Sequence, residues 1–203
     1  MSTAQAQSKL KDHWTVEEYL AFEKTSPVRH EYVDGLIFAM AGESKNHNRL
    51  ASKICTRLNL HLEDDRCEVF IENVKVKVSP TRYYYPDVVV SCNEPTEDED
   101  AYIIEDPVMI LEVLSPTTKR NDRVEKMNAY QKLASLREYI IVSQERVRIE
   151  IYRHQAAGET WQCEVFDGLE AEASFESVGL TMNLADIYRR VRFAAEGEEE
   201  QEN

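Results

Sequence analysis

In residues 46–62 the apolar residues Leu50, Ile54, Leu58 and Leu62 return every fourth position, which predicts an amphipathic helix covering one face of a sheet. Upstream, residues 14–22 carry apolar side chains at helical spacing, and Thr15 with Glu18 has the spacing of a capping box, so a short helix is expected there. His30-Glu31-Tyr32-Val33 and Leu36-Ile37-Phe38-Ala39-Met40 flank Asp34-Gly35, a dipeptide suited to the positive φ of a tight turn, and predict an antiparallel hairpin. Alternating or continuous apolar runs predict strands over residues 69–78, 83–90 and 108–114, the centre of a sheet. Residues 121–134 read as a second long helix opened by Asn121 or Asp122, and residues 138–142 and 147–152 as two further strands. Residues 161–166 and 173–175 suggest another short hairpin, and residues 184–190 a closing helical turn. The pattern shows no internal repeat and no Gly-rich phosphate loop.

Composition sets bounds on this picture. At 203 residues the chain is long enough for one domain with a sizeable core, assigned to residues 14–192 behind a polar segment at 1–13. A formal net charge of -14 excludes a protein that coats nucleic acid or anionic membrane by bulk electrostatics, so any contact with DNA must be local. Much of the acid lies in residues 94–106 and in 193–203, the latter expected to be a solvated, disordered tail. Cys55, Cys67, Cys92 and Cys163 are scattered without a CxxC pair, which disfavours structural zinc and suggests reduced thiols in a cytoplasmic chain. No long apolar span suggests a membrane segment.

Two acids interrupt the apolar strands: Glu112 in Val108-Met109-Ile110-Leu111-Glu112-Val113-Leu114, and Asp87 in Pro86-Asp87-Val88-Val89-Val90. An uncompensated buried carboxylate carries an effective penalty of several kcal/mol, so both require cations or hydrogen-bond donors nearby. Either acid alone is equally compatible with a strand end or an ordinary ion pair. If the two strands are neighbours the carboxylates converge, and Mg²⁺ is commonly held by one or two carboxylates with waters and phosphate oxygens completing its shell.

The order of these phrases resembles the PD-(D/E)XK nuclease superfamily, in which an Asp on one strand precedes an acid on the next and a lysine two residues later. Here Leu114 stands in the lysine's place. The wider context, His30-Glu31-Tyr32-Val33-Asp34-Gly35, Pro86-Asp87, Glu112-Val113-Leu114-Ser115-Pro116, Asp122 with Lys126 and Tyr130, and Glu138-Tyr139-Ile140-Ile141-Val142, is similar to the Uma family, catalogued as candidate restriction endonucleases. The resemblance implies a mixed α/β, restriction-endonuclease-like core: a central mixed sheet flanked by helices, with an extra N-terminal hairpin and C-terminal strands. It further implies an Mg²⁺-dependent endonuclease acting on DNA, with Mn²⁺ as a substitute ion, and a homodimer as in many nuclease relatives. Asp87, Glu112 and the Val113 carbonyl would bind the metal, Lys126 would position the attacking water in place of the missing lysine, and Glu31 would assist. Lys119 and Arg123 are alternative substitutes for that lysine.

Each residue also has a plainer reading. Lys126 with Asp122 fits a solvated i,i+4 pair, and Glu31 a surface strand residue. His47, at a helix start, fits a helix cap better than a phosphate contact. Lys75 and Lys77 suit either a DNA backbone or the protection of an edge strand, and Tyr83, Tyr84 and Tyr85 suit strand packing more than base stacking. Two other functions stay open at this level: a catalytically inactive binding module for DNA or a protein, and a hydrolase of another phosphate ester.

Overall fold

The computed structural model describes residues 12–93, 102–114, 121–154 and 160–193, of which 121–123 through their backbone alone. Most of the acidic 94–106 stretch, Ser115, Pro116, Lys119 and all but the first residue of the 193–203 tail lie outside the described residues, as do the side chains of Asp122 and Arg123.

Helix α1 (Val16–Glu23) opens on the capping box: the Glu18 amide donates to Thr15 Oγ1 at 3.2 Å and the Thr15 amide to Glu18 Oε2 at 2.9 Å. Strands β1 (His30–Val33) and β2 (Leu36–Ala39) form the hairpin, turning through Asp34 and Gly35 at φ 49° and 95°. Helix α2 (Lys45–His61) follows, with Ser44 capping its first turn by accepting from the His47 amide.

The next two predicted strands are each broken in two. Residues 69–78 become β3 (Glu68–Ile71) and β4 (Lys75–Ser79), and residues 83–90 become β5 (Arg82–Tyr84) and β6 (Val88–Ser91). The breaks face one another, since the Glu72 amide donates to the Asp87 carbonyl at 3.2 Å, and both have a local cause. Pro86 has no N–H for a ladder, and Glu72 adopts a positive φ of 54° that ends regular pairing.

Short β7 (Ile103–Ile104), the long β8 (Pro107–Leu114), β9 (Glu138–Ser143), β10 (Arg148–His154), β11 (Trp161–Asp167), β12 (Glu172–Phe175) and β13 (Leu180–Asn183) complete the strands. Between β8 and β9 the chain forms a π-helix, Asn121–Lys126, running into the α-turn α3 (Met127–Tyr130). The predicted long helix therefore ends early: the Lys132 and Leu133 amides close tight i→i+3 turns onto Ala129 and Tyr130 so that the chain can enter β9. A last turn, α4 (Leu184–Ile187), closes the described chain.

The fold class is the expected mixed α/β one, but the strands divide among three sheets: β2-β1-β5-β4-β7, β11-β10-β9-β8-β6-β3, and the hairpin β12-β13. The expected pairing of residues 161–166 with 173–175 is corrected here, because β11 pairs with β10 and β12 with β13. The parallel β8–β9 pair, joined by the π-helical crossover, lies at the centre of the six-stranded sheet.

Along β8 side chains alternate between two cores. Met109, Leu111 and Val113 face the α2 stripe of Leu50, Ile54 and Leu58, while Ile110 and Leu114 face Val76 and Tyr84 of the five-stranded sheet and Tyr130 of α3. The six-stranded sheet thus lies between α2 and the five-stranded sheet, with β3→β4 and β5→β6 as the two places where this part of the chain passes from one sheet to the other. Cys67 and Cys92 correct the expectation of four thiols. Cys67 precedes β3 and Cys92 follows β6, the Glu68↔Ser91 register sets them opposite each other, and they form a disulfide. No described helix is long and apolar enough to cross a membrane.

Candidate active site

The bend that breaks β5 from β6 places Asp87 at the mouth between the two sheets. In the β6–β8 register Val88 opposes Leu111, so one further step sets Asp87 opposite Glu112, with both side chains on the face toward the five-stranded sheet. Backbone groups freed at this point find side-chain partners. The Val113 amide, beyond the end of β6, donates to Asp87 Oδ2 at 2.6 Å, and the Tyr85 amide, released by the bend, donates to Glu31 Oε1 at 3.3 Å.

Glu112 is only 3% exposed, and its charge is met from the π-helix and α3: Lys126 Nζ lies 3.1 Å from Oε1, and the Tyr130 hydroxyl donates to the same oxygen at 3.1 Å. Lys126 Nζ also lies 2.9 Å from Glu31 Oε1 and 5.6 Å from the centre of the Tyr84 ring. One ammonium therefore bridges an acid of each large sheet. Burial first, and then the charge of Glu112, pushes the Tyr130 hydroxyl far above the usual phenol range, so it stays a donor. Burial and the nearby Glu125 push Tyr84 up to about 12.

His47 also belongs to the site. It is buried in the first turn of α2, and its Nε2 lies 3.0 Å from Asp87 Oδ2, the oxygen that also accepts from Val113. An ionised carboxylate only accepts, so the hydrogen-bonded arrangement puts a proton on Nε2; Nδ1 has no hydrogen-bond partner among the described residues. Burial pulls the imidazole pKa down, but the hydrogen bond and charge of Asp87, with Glu43 beyond, outweigh it and raise the pKa.

A cavity of about 350 Å³ is lined by Glu31, Asp87, Glu112, Val113 and Lys126, every site residue proposed from the sequence, and by His47 as well. Its apolar side is the β2 hairpin arm, Phe38 to Met40, with Val33. Leu114 is 5% exposed within the core shared with Val76 and Tyr139, so the position of the superfamily lysine is filled by core packing. Among the described residues, no group of three or more His, Cys, Asp or Glu side chains is arranged to hold an ion by itself. Lys75 is buried over the Tyr85 and Tyr102 rings, away from any DNA backbone, and Lys77 pairs with the exposed Glu105 at 2.7 Å. Tyr83, Tyr84 and Tyr85 are core residues.

Three further buried acids are not among the site residues expected from the sequence. Glu23 binds the His30 amide and ring and the Tyr85 hydroxyl, Glu138 binds Arg153 and the Glu176 and Ser177 amides, and Glu150 binds Arg148 and Tyr152. All three sit among short-range donors and none lines the cavity. His47, at a helix start, is expected to help cap the helix, and the structure corrects this: Ser44 is the cap and accepts from the His47 amide, which leaves the ring to Asp87.

This arrangement of two sheets joined by a crossover recurs in a solved structure. It superposes on a crystal structure described as a "putative nuclease belonging to DUF820" from Anabaena variabilis with a TM-score of 0.72, at 19% identity, covering 86% of this chain and 97% of that one. The chain belongs to the Uma2 family, described as "Putative restriction endonuclease", whose model matches residues 16–185. Two uncharacterized proteins of Synechocystis are relatives: one is 35% identical over 181 residues, 87% of this chain and 92% of the relative, and the other 31% identical over 163 residues, 79% and 92%.

Proposed function

We propose that this protein is an Mg²⁺-dependent endonuclease that hydrolyses DNA phosphodiester bonds. The observation that carries the reading is Lys126, delivered by the π-helix to Glu112 and Glu31 at the cavity where Asp87 opposes Glu112. Asp87, Glu112 and the Val113 carbonyl would hold the ion. They are hard oxygen donors of the kind Mg²⁺ prefers, two carboxylates suffice for it, and neither donor to Asp87 falls on Oδ1. When bound, the ion would supply Lewis-acid polarisation of the phosphodiester and a lowered pKa for a bound water.

The protein's own groups have separate tasks. Lys126 places a positive charge and donor protons beside the reacting phosphate, where negative charge develops. Glu31 restrains that ammonium at 2.9 Å, which limits the lysine's rotamers. His47 and the Val113 amide together fix the plane of Asp87 by holding one of its oxygens. Tyr130 keeps Glu112 oriented without adding charge.

The test is cleavage of supercoiled plasmid by purified protein with Mg²⁺ or Mn²⁺, beside Asp87→Asn and Glu112→Gln. The expected outcome is nicking or cutting by the wild type and its loss in both variants. Equal cleavage by all three proteins, or none by the wild type with either ion, overturns the proposal.

A further inference from the structure

We propose that the exposed face of α2, continued by the arginines after α4, is the surface on which this protein holds the backbone of duplex DNA. The inference rests on the endonuclease reading for the identity of its partner, but on different residues. Lys45, Arg49, Lys53 and Arg57 recur every fourth position along α2, and the 17-residue helix contains no acidic residue, in a chain of net charge -14. Residues four apart lie on one helical face, and like charges there oppose folding, so this row is unfavourable for the isolated helix.

The row is extended by tertiary structure. Lys53 Nζ donates to the carbonyls of Asp186 and Ile187 at 3.3 and 3.2 Å and to that of Arg189, which fastens the end of α4 against the middle of α2. Asn46 Nδ2 donates to the Arg192 carbonyl at 2.7 Å, and Arg49 to Asn46 Oδ1 at 3.2 Å. Arg189, Arg190 and Arg192, all exposed, thereby join Arg49 and Lys53 in one basic field. Burial, followed by the charges of Arg189 and Arg190, lowers the pKa of Lys53, as expected where cations gather. Asp186, paired with Arg189, lies within this field.

The first turn of α2 adjoins the cavity: His47, on the buried face of the helix and so opposite Lys45 and Arg49, contacts Asp87, and the basic row begins at this end of the helix. From Lys45 to Arg57 the row spans about 18 Å, or about five base pairs of duplex. Phosphate, which needs no sequence-specific partner, matches the exposed cations Lys45, Arg49 and Arg57 together with Arg189, Arg190 and Arg192, while the Lys53 ammonium is held by the α4 carbonyls.

The test is fluorescence anisotropy of the full chain with a labelled 20-base-pair duplex in EDTA, which separates binding from cleavage, over a range of salt. Wild type should bind with a steep salt dependence. Arg49→Glu, Arg57→Glu and Arg189→Glu combined should weaken Kd at least tenfold and reduce the log–log salt slope by about 0.9 for each phosphate no longer neutralised. The neutral Arg49→Gln, Arg57→Gln and Arg189→Gln set should lose less, and Lys77→Glu, whose lysine pairs with Glu105, should lose nothing. A fold check by circular dichroism accompanies each variant, and the neutral set carries the test if the charge reversal does not fold. Unchanged affinity and slope overturn the surface even if cleavage depends on Asp87; weakened binding in these variants of a protein that never cleaves supports the surface and counts only against the endonuclease reading. Tighter binding to single-stranded RNA or phosphatidylglycerol vesicles through the same arginines overturns duplex DNA as the occupant.

Discussion

Lys126 answers the question posed by Leu114. With an apolar residue two positions after Glu112, the β8 strand cannot bring its own cation to the acid, and the core around Leu114 would not accept one. Lys126 therefore both neutralises the site and stands in the proposed chemistry, and the two roles can be separated. Lys126→Met should abolish cleavage and destabilise the protein by about 3–5 kcal/mol, because Glu31 and Glu112 are left facing each other without their shared cation. Adding Glu112→Gln should recover part of that loss, so urea denaturation of the single and double variants should show a favourable coupling; strict additivity would mean the pair is not energetically linked. His47→Gln should lower cleavage by about 10–100-fold with little effect on DNA affinity in EDTA, since what it holds is the orientation of Asp87. Burial alone does not single out these residues. Glu138 is more buried than Asp87, but its oxygens are all spoken for by Arg153 and backbone amides, whereas Asp87 opens onto a cavity.

Among the elements, the β1–β2 turn and the β3–β6 pair offer direct tests. Asp34 accepts from Arg82 and Thr81, and these hydrogen bonds, Arg82 first, hold its carboxyl below the usual 3.8. A carboxylate whose pKa is depressed in the fold binds fewer protons there than in the unfolded chain. Its stabilisation is therefore complete above the unfolded value near 3.8 and disappears as pH falls through the lower folded one. Thermal melts of wild type and Asp34→Asn should accordingly differ at pH 7 and converge at pH 2; Asn preserves the positive φ, so the turn itself is not what is being measured. The Cys67–Cys92 bridge closes a loop with a sequence separation of 25, for which chain entropy gives about 3.5 kcal/mol at 25 °C. Dithiothreitol should lower the melting temperature of wild type and leave Cys92→Ser unmoved.

Across the whole molecule, what the sequence reveals and what it conceals divide by range. Local signals are sound: the capping box of α1, the Asp-Gly turn, the α2 stripe and the apolar run of β8 all depend on neighbours within a few residues. Asp87 and Glu112 are legible because acids in apolar strands demand a reason, while Lys126 and Glu31 stand out only through resemblance, their lysine–carboxylate contact spanning 95 residues of chain that periodicity cannot see. Non-local pairing is hidden. Strand-forming residues flank Glu72 and Pro86 on both sides, so each broken strand reads as one run; nothing local shows that β11 pairs with β10 and β12 with β13, and the two cysteines become neighbours only through β3–β6 register. The basic face is masked by the overall acidity, since counting charge along the chain does not show which charges share a surface. The site's position at the passage between sheets has one more consequence. Glu31 is carried by the five-stranded sheet and Glu112 by the six-stranded one, with Asp87 on the segment that joins them, so the constellation exists only while the two sheets are docked. Enzyme activity would then act as a gauge of that docking: in rising urea it should fade before the far-ultraviolet signal of either sheet, and a ligand spanning the cavity should clamp the halves together and close that gap.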